Sequence, residues 1–532
     1  MSEGARLADK PNGFPPALQP VPGPQRRALR GIAVRIFLSC WALYVLHFAT
    51  NTVREIYPAL SLGDHLSFDV SEYVGFHPDI FEMPGRGAFI NNNPGASIVG
   101  AVPYLLTRPI IDRIVERQRR VRAQTAESAP QEYHTIYPMA REFYRKAHER
   151  GLDVKFGLAA AVMQSLAMAP LSALSVVVMY YLLASVTSSL RAATVLALLY
   201  GIATPIFYRT AQLNQNLLVA HCALFAFALL WRPGDGTADA PRPRYFLAGL
   251  LSGWAVVCDY SGLVVVVALG GYALARWRAS APNTRSSADL WRFAGGVGLC
   301  GGVLMAYQWA SFGNPLLPAQ HYMPPATYTH LGYVGMDWPQ WDLLWDTAFS
   351  MRFGLFTSAP VLLLALYPPA WSSRMRIVGA REVWCIAGLC ALFFLFCSAN
   401  QYGRMQFNSG VRHVVPVTPF LFLIVAGVLL RMPPAVAWCV GVVTAYWSWC
   451  LAMYRDVEQG LGVFESLIHV TLEGFRLPWL KTLEGMGYVG ERATPIPLLV
   501  LFGVIVWVLW GAGTPLRKTD VRPRAAARIG DQ

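Results

Sequence analysis

RIFLSCWALYVLHFATNTVREIYPALSLGDHLSFDVSEYVGFHPDIFEMPGRGAFINNNPG, residues Arg35–Gly95, changes character part-way along its length. Its first part, Ile36–Val53, is an apolar run of about eighteen residues, long enough to cross a hydrocarbon core of about 30 Å. Its second part is acidic. Between Asn51 and Tyr104 stand six carboxylates, Glu55, Asp64, Asp69, Glu72, Asp79 and Glu82, against two arginines, Arg54 and Arg86. The chain is otherwise basic and apolar, so an acidic loop directly after a membrane span needs a reason.

The whole chain reads the same way. It has 532 residues, 55% of them hydrophobic and 14% charged, against about 25% charged in ordinary soluble domains. Apolar stretches recur at Leu158–Val186, Ala192–Phe207, Leu213–Trp231, Tyr245–Cys258, Gly262–Ala275, Phe293–Ala310, Phe353–Tyr367, Val383–Ser398, Val414–Leu430, Ala435–Met453 and Pro497–Gly513. They are continuous rather than alternating, which excludes a β-barrel. The expectation is an all-α polytopic membrane protein with about twelve transmembrane helices. The shorter run Ala96–Ile111 holds Pro103 and Pro109 and reads as an interfacial helix within the first loop.

Charge sets the orientation. Arg26, Arg27, Arg30 and Arg35 precede the first span, and the turns carrying Arg191, Arg244, Arg276, Arg381 and Arg431 are basic. Lys and Arg gather on the cytoplasmic side of membrane proteins, so both termini are expected there and the acidic loop outside. Residues 1–35 then form a cytoplasmic tail and 36–513 the transmembrane domain. The first external loop is 54–157, and 514–532 is a second cytoplasmic tail. The mixed-charge segment 113–155 is assigned to the outside; in the alternative Ala96–Ile111 crosses, the segment is cytoplasmic and the spans number thirteen. The net charge of +13 is explained by these loops, and no separate basic domain points to nucleic acid. The nine cysteines lie in or beside apolar runs with no CxxC pair, which argues against a disulfide framework or a zinc site.

Polar residues at span ends on the outer face could form one pocket: Arg54, Glu55, Asn91, Asn92, Asn93, Arg209, Asn214, Asn216, His221, Asp259, Arg352, Arg404, Asn408, Arg412 and His413. Arginines suit a phosphate, and a carboxylate can serve as general base toward a hydroxyl. Plainer readings exist for each. Arg54–Glu55 can be a structural ion pair, His221 a packing residue, and NNNPG a turn.

Four stretches resemble the GT-C superfamily of integral-membrane glycosyltransferases, and within it the bacterial relatives of the protein mannosyltransferase and aminoarabinose transferase group. They are REIYPALSLGD (Arg54–Asp64), NNNPG (Asn91–Gly95), RFGLFTSAPVLLLALYPP (Arg352–Pro369) and YGRMQFNSGVRHVVPVTPFL (Tyr402–Leu421). The resemblance implies transfer of a sugar from a polyprenyl-phosphate donor at the extracytoplasmic face of a bacterial inner membrane, with inversion. The acceptor would be a lipid, protein or glycan. It implies Glu55 as base, with Asp64, Asp69 and Asp79 as alternates. Arg352, Arg404 and Arg412 would meet the donor phosphate, and Arg54, Asn92, Asn93, Arg209, Asn214, His221 and His413 would line the substrate site. No cofactor is required by this chemistry, and a divalent metal is compatible with it. The chain departs from the family in having Arg54 where a second acid is usual and asparagine where the turn carries lysine. Two other readings remain: a transporter or flippase of a lipid-linked glycan, and a non-catalytic protein of the same fold.

Overall fold

The computed structural model describes residues 23–124, 133–135, 137–231, 243–282, 285–325, 327–406, 409–454, 462–490 and 493–511. The tails at 1–22 and 512–532, and Asn408, lie outside them. The architecture is α-helical. Six helices are long and apolar enough to cross a membrane: Arg27–Leu46, Asp153–Val186, Gly262–Ala279, Ser287–Phe312, Ala380–Ala399 and Pro434–Met453. Five shorter apolar helices, Leu190–Ile202, Gln215–Leu230, Tyr245–Cys258, Val415–Leu429 and Ile496–Gly511, accompany them.

Eleven of the twelve expected spans are therefore helices. The twelfth, Phe353–Tyr367, is not. It is one turn of helix at Leu355–Ser358 followed by 3-10 turns at Pro360–Leu366 and Pro368–Trp371. Proline lacks the N–H that an α-helix needs; Pro360 interrupts this run, and Pro368 and Pro369 follow it directly. It packs instead beside the helix Thr418–Leu429. The first helix also differs from expectation, running Gly23–Leu46 rather than Ile36–Val53. Arginine is a good helix former, so its basic approach is helical too, and the chain leaves the helix before His47.

Close approach of backbones holds the helices together. A Cβ on Gly253 would fall 2.8 Å from that of Cys300, so the helices Tyr245–Cys258 and Ser287–Phe312 meet on small residues. A π-helical turn at Gln164–Met168 interrupts the long helix Asp153–Val186, and the Gln164 amide donates to the carbonyls of Tyr44 and Thr210 at 2.9 and 3.0 Å.

The first loop is a folded unit. The short helix Ile56–His65 packs on Gly95–Gln124, a helix of 30 residues that contains both Pro103 and Pro109. Val102, Leu105, Leu106, Ile110 and Ile114 remain exposed along it, an apolar stripe suited to a bilayer surface. The one β-sheet among the described residues is an antiparallel hairpin, Ile80–Met83 with Gly87–Ile90. Ile80 pairs with Ile90 at its open end, which sets Asp79 beside Asn91: the Asn91 amide donates to the Asp79 carbonyl at 3.1 Å.

Candidate active site

Helix and hairpin ends bring distant polar residues together at one end of the bundle. Arg54 is the hub. Its guanidinium donates to the Asp79 carboxylate at 2.9 Å and to the Asn91 carbonyl at 3.3 Å, and it lies 3.8 Å from Glu55. Burial works against the Arg54 charge, but Asp79 and then Glu55 more than offset it and raise its pKa. Asp79 is buried too. Burial would raise its pKa, yet Arg54 and then His77 hold it below the usual carboxylate range.

Glu55 is 4% exposed. Among the described residues no hydrogen bond reaches its carboxylate, and its ion pair with Arg54 is the loose one. It precedes the helix Ile56–His65 without capping it through its side chain, while its backbone carbonyl accepts from Ser97 at 2.8 Å. A buried carboxylate with acceptor capacity to spare is available to a ligand.

Arg412 and His413 come from the far side of the chain. Arg209, 1% exposed, donates to the carbonyls of Val411 (2.6 Å), Ser409 (3.5 Å) and Gly410. Gly410 has φ +83°, which glycine adopts without strain. This bend ends in Arg412, which makes no hydrogen bond or ion pair among the described residues. Burial, and then repulsion from Arg54, lowers its pKa to about 10, so it remains charged at neutral pH. His413 is held neutral by burial and by Arg412 beside it, its pKa well below the ordinary value.

The expected residues thus divide. Glu55, Asp79, Arg54 and Arg412 cluster, with His413 following Arg412 and Asn92 beside Asn91, its carbonyl accepting from Tyr307 at 3.4 Å. Arg209 supports the cluster through backbone carbonyls. Asn93 donates to the Val256 carbonyl at 2.8 Å and holds the NNNPG turn on the helix Tyr245–Cys258. A Cβ on Gly95 would lie 2.7 Å from Val257 and Cys258 backbone atoms, so that contact needs glycine.

Several others are structural. Asp64 accepts from Lys155 (2.7 Å), Tyr104 (3.0 Å) and Arg108 (3.2 Å), which ties three helices of the first loop together. Asp69 folds the hairpin: its carboxylate accepts from Ser71 Oγ at 2.6 Å and from the Ser71 and Ala88 amides at 3.0 Å. Burial opposes its charge, and these bonds to Ser71 and Ala88 lower its pKa nonetheless. Asn214 caps the helix Gln215–Leu230 by accepting from the Leu217 amide at 3.0 Å. His221 is deep in that helix, 2.9 Å from Ser172 and stacked on Phe225. Arg404 pairs with Asp342 at 2.7 Å and bonds Gln340 and Gln401, away from the cluster. Arg352 borders the bend at 409–412, its carbonyl accepting from Gly410 at 2.7 Å.

Two residues at the site, His77 and Tyr402, had no weight in the sequence reading. His77 lies 3.9 Å from Asp79, and burial depresses its pKa to about 4 against a smaller opposing effect of Asp79. Tyr402 has a buried hydroxyl without a partner, and burial raises its pKa, with Asp79 adding to the shift and Arg54 opposing it. Asp259, one of the span-end polar residues expected in the pocket, lies close enough to Arg54 to act on its charge. It accepts from Gln215 at 2.6 Å and from the Ser261 amide at 2.9 Å. The sequence signal for His77 was the FHPD string; nothing local marks Tyr402. Among the described residues no group of three His, Cys, Asp or Glu could hold a metal ion.

No family model and no curated protein matches this chain. Among solved structures it is similar to ArnT from Cupriavidus metallidurans bound to undecaprenyl phosphate. Identity is 16% and the TM-score 0.45, over 92% of this chain and 72% of that one.

Proposed function

We propose that the protein is a membrane glycosyltransferase that moves a sugar from a polyprenyl-phosphate donor to an acceptor hydroxyl at the extracytoplasmic face. The observation that supports it is the state of Glu55, a buried carboxylate free of hydrogen bonds among the described residues, near an arginine, Arg412, that is free of them too. Asp79 takes the close contact of Arg54, which leaves Glu55 able to accept a proton.

The step balances. The acceptor hydroxyl gives its proton to Glu55 as its oxygen bonds the anomeric carbon. The bond from that carbon to the phosphate oxygen breaks, and polyprenyl phosphate leaves with the electron pair. A single displacement inverts the anomeric centre. Arg412 neutralises the departing phosphate, so the charge balance closes without a bound cation, and a divalent ion beside it would add to the same effect. Arg54 holds Glu55 and Asp79 at a fixed separation.

The test is Glu55→Gln in proteoliposomes supplied with a polyprenyl-phosphate sugar. Loss of a general base costs about 10²–10⁴ in rate. Arg54 keeps its 2.9 Å contact with Asp79 but loses the second counter-charge at 3.8 Å, so the thermal midpoint is expected to fall modestly. Equal transfer by the two proteins removes Glu55 as the base.

A further inference from the structure

We infer that the outward face of the helix Gly95–Gln124 is a docking surface for anionic phospholipid headgroups. The inference is independent of the role given to Glu55.

One side of this helix is packed on the first loop: Tyr104, Ile111 and Val115 are 0%, 3% and 7% exposed. The other side is open and changes polarity along its length. Val102, Leu106 and Ile110 are 58%, 77% and 59% exposed, and Arg113, Arg117 and Arg120 follow them, exposed as well. At 3.6 residues per turn these six positions fall within one arc of about 80°. The aliphatic and basic parts are consecutive stretches of a single face, each about 11 Å long at 1.5 Å per residue. A helix lying flat at the boundary of headgroups and acyl chains keeps an apolar side against lipid along its whole length. A face that turns from aliphatic to basic fits an oblique helix, its first half sunk among acyl chains and its second half standing among headgroups. Arginine at that depth lays its stem on apolar atoms and its guanidinium on phosphate.

Ion pairs separate the arginines that fold this helix from those that face out. Arg108 pairs with Asp64 at 3.2 Å and with Asp112 at 3.3 Å. Arg122 donates twice to Asp153, at 3.1 and 2.7 Å, and Arg119 donates to the Gly151 carbonyl at 3.4 Å. Arg120 takes Glu116 at 3.0 Å. Asp112 and Glu116 are the acids of the stretch 108–124, which carries six arginines. Both acids are thus engaged. Arg113 and Arg117, on the open arc, enter no ion pair or hydrogen bond among the described residues. Their charge is unspent by the fold and stands directly after an aliphatic stretch that water disfavours. Anionic phospholipid meets both halves at once, with acyl chains for the aliphatic stretch and phosphates for the guanidiniums. A free phosphate or a soluble polyanion meets the second half alone.

The experiment is hydrogen exchange of the full-length protein in lipid nanodiscs of phosphatidylcholine, or of an equal mixture with phosphatidylglycerol, read on peptides from residues 102–124. An arginine near an anionic membrane surface gains roughly fivefold in affinity. Arg113 and Arg117 together are therefore expected to slow exchange by roughly 25-fold in the mixed discs relative to phosphatidylcholine alone. Raised salt should shrink that difference, since charges in 0.1 M salt are screened over about 10 Å. Arg113→Gln combined with Arg117→Gln is expected to abolish it, and Arg113→Lys with Arg117→Lys to keep it. Unchanged exchange outside 102–124 verifies that both variants are folded. Equal exchange of the wild type in the two membranes overturns the inference, as does a difference that survives the glutamine pair. Inorganic phosphate added to phosphatidylcholine discs is expected to leave exchange unchanged; slowing as large as that by phosphatidylglycerol assigns the face to a free anion and overturns the inference too.

Discussion

Asp64 separates structure from chemistry in the acidic loop. Its side chain is 5% exposed and accepts from Lys155 at 2.7 Å, from the Tyr104 hydroxyl at 3.0 Å and from Arg108 at 3.2 Å. Asp64→Asn keeps the shape and the Tyr104 bond but removes the charge. Arg108 is partly compensated, because it also pairs with Asp112 and donates to the carbonyls of Gly63 and Asp64. Lys155, 13% exposed, has no other ion pair among the described residues. Breaking one side of a buried pair costs about 3–5 kcal/mol; with Arg108 retained, the low end, about 3 kcal/mol, is expected. That raises the unfolded fraction of the loop roughly 100-fold. Thermal unfolding of the detergent-purified protein, followed by circular dichroism, measures it. Asp64→Asn combined with Lys155→Met removes both charges and should recover most of the loss. Transfer per folded molecule should equal wild type in both. A variant with unchanged unfolding and abolished transfer would refute this assignment and return Asp64 to the chemistry.

Two more outcomes follow from the same packing. His77 has a pKa near 4 in the folded loop against an ordinary 6.5, so the unfolded state binds more protons between those values. The stabilisation by neutral His77 is complete above about pH 6.5 and is lost as pH falls toward 4; limited proteolysis of the loop across that range should show the decline, and His77→Gln should flatten it. Gly95→Ala places a methyl 2.7 Å from the Val257 carbonyl and should cost about 1–3 kcal/mol, with a lower thermal midpoint as the measure; an unchanged midpoint would mean the two helices can part freely.

Hydrophobic runs made most of the helices legible, since a span must satisfy its backbone internally wherever lipid surrounds it. The same reading failed at Phe353–Tyr367, where apolar composition masks Pro360 within the run and Pro368 and Pro369 just after it. The site was legible in part. Proximity to a span end picked out Glu55, Arg54 and Arg412, which the fold brings near one another. It could not distinguish Asn214, which caps a helix, or Asp69, which folds a hairpin, from residues with free atoms. Those roles depend on partners two or three positions away and, for Ala88, nineteen, and a side chain's remaining hydrogen-bonding capacity is a property of the folded contacts. Tyr402 shows the converse: an ordinary tyrosine in sequence becomes notable because packing leaves its hydroxyl alone.

The grip of Arg209 on the carbonyls of Ser409, Gly410 and Val411 joins residues 200–202 positions apart. A chain inserted into the membrane from its N-terminus carries Glu55, Asp79 and Asn91 long before Arg412 emerges. Until then Arg209 has none of these three acceptors and the acidic cluster lacks its free cation. Arg412 therefore joins Glu55 and Asp79 late in biogenesis, and a nascent chain arrested before residue 409 carries the two acids without it.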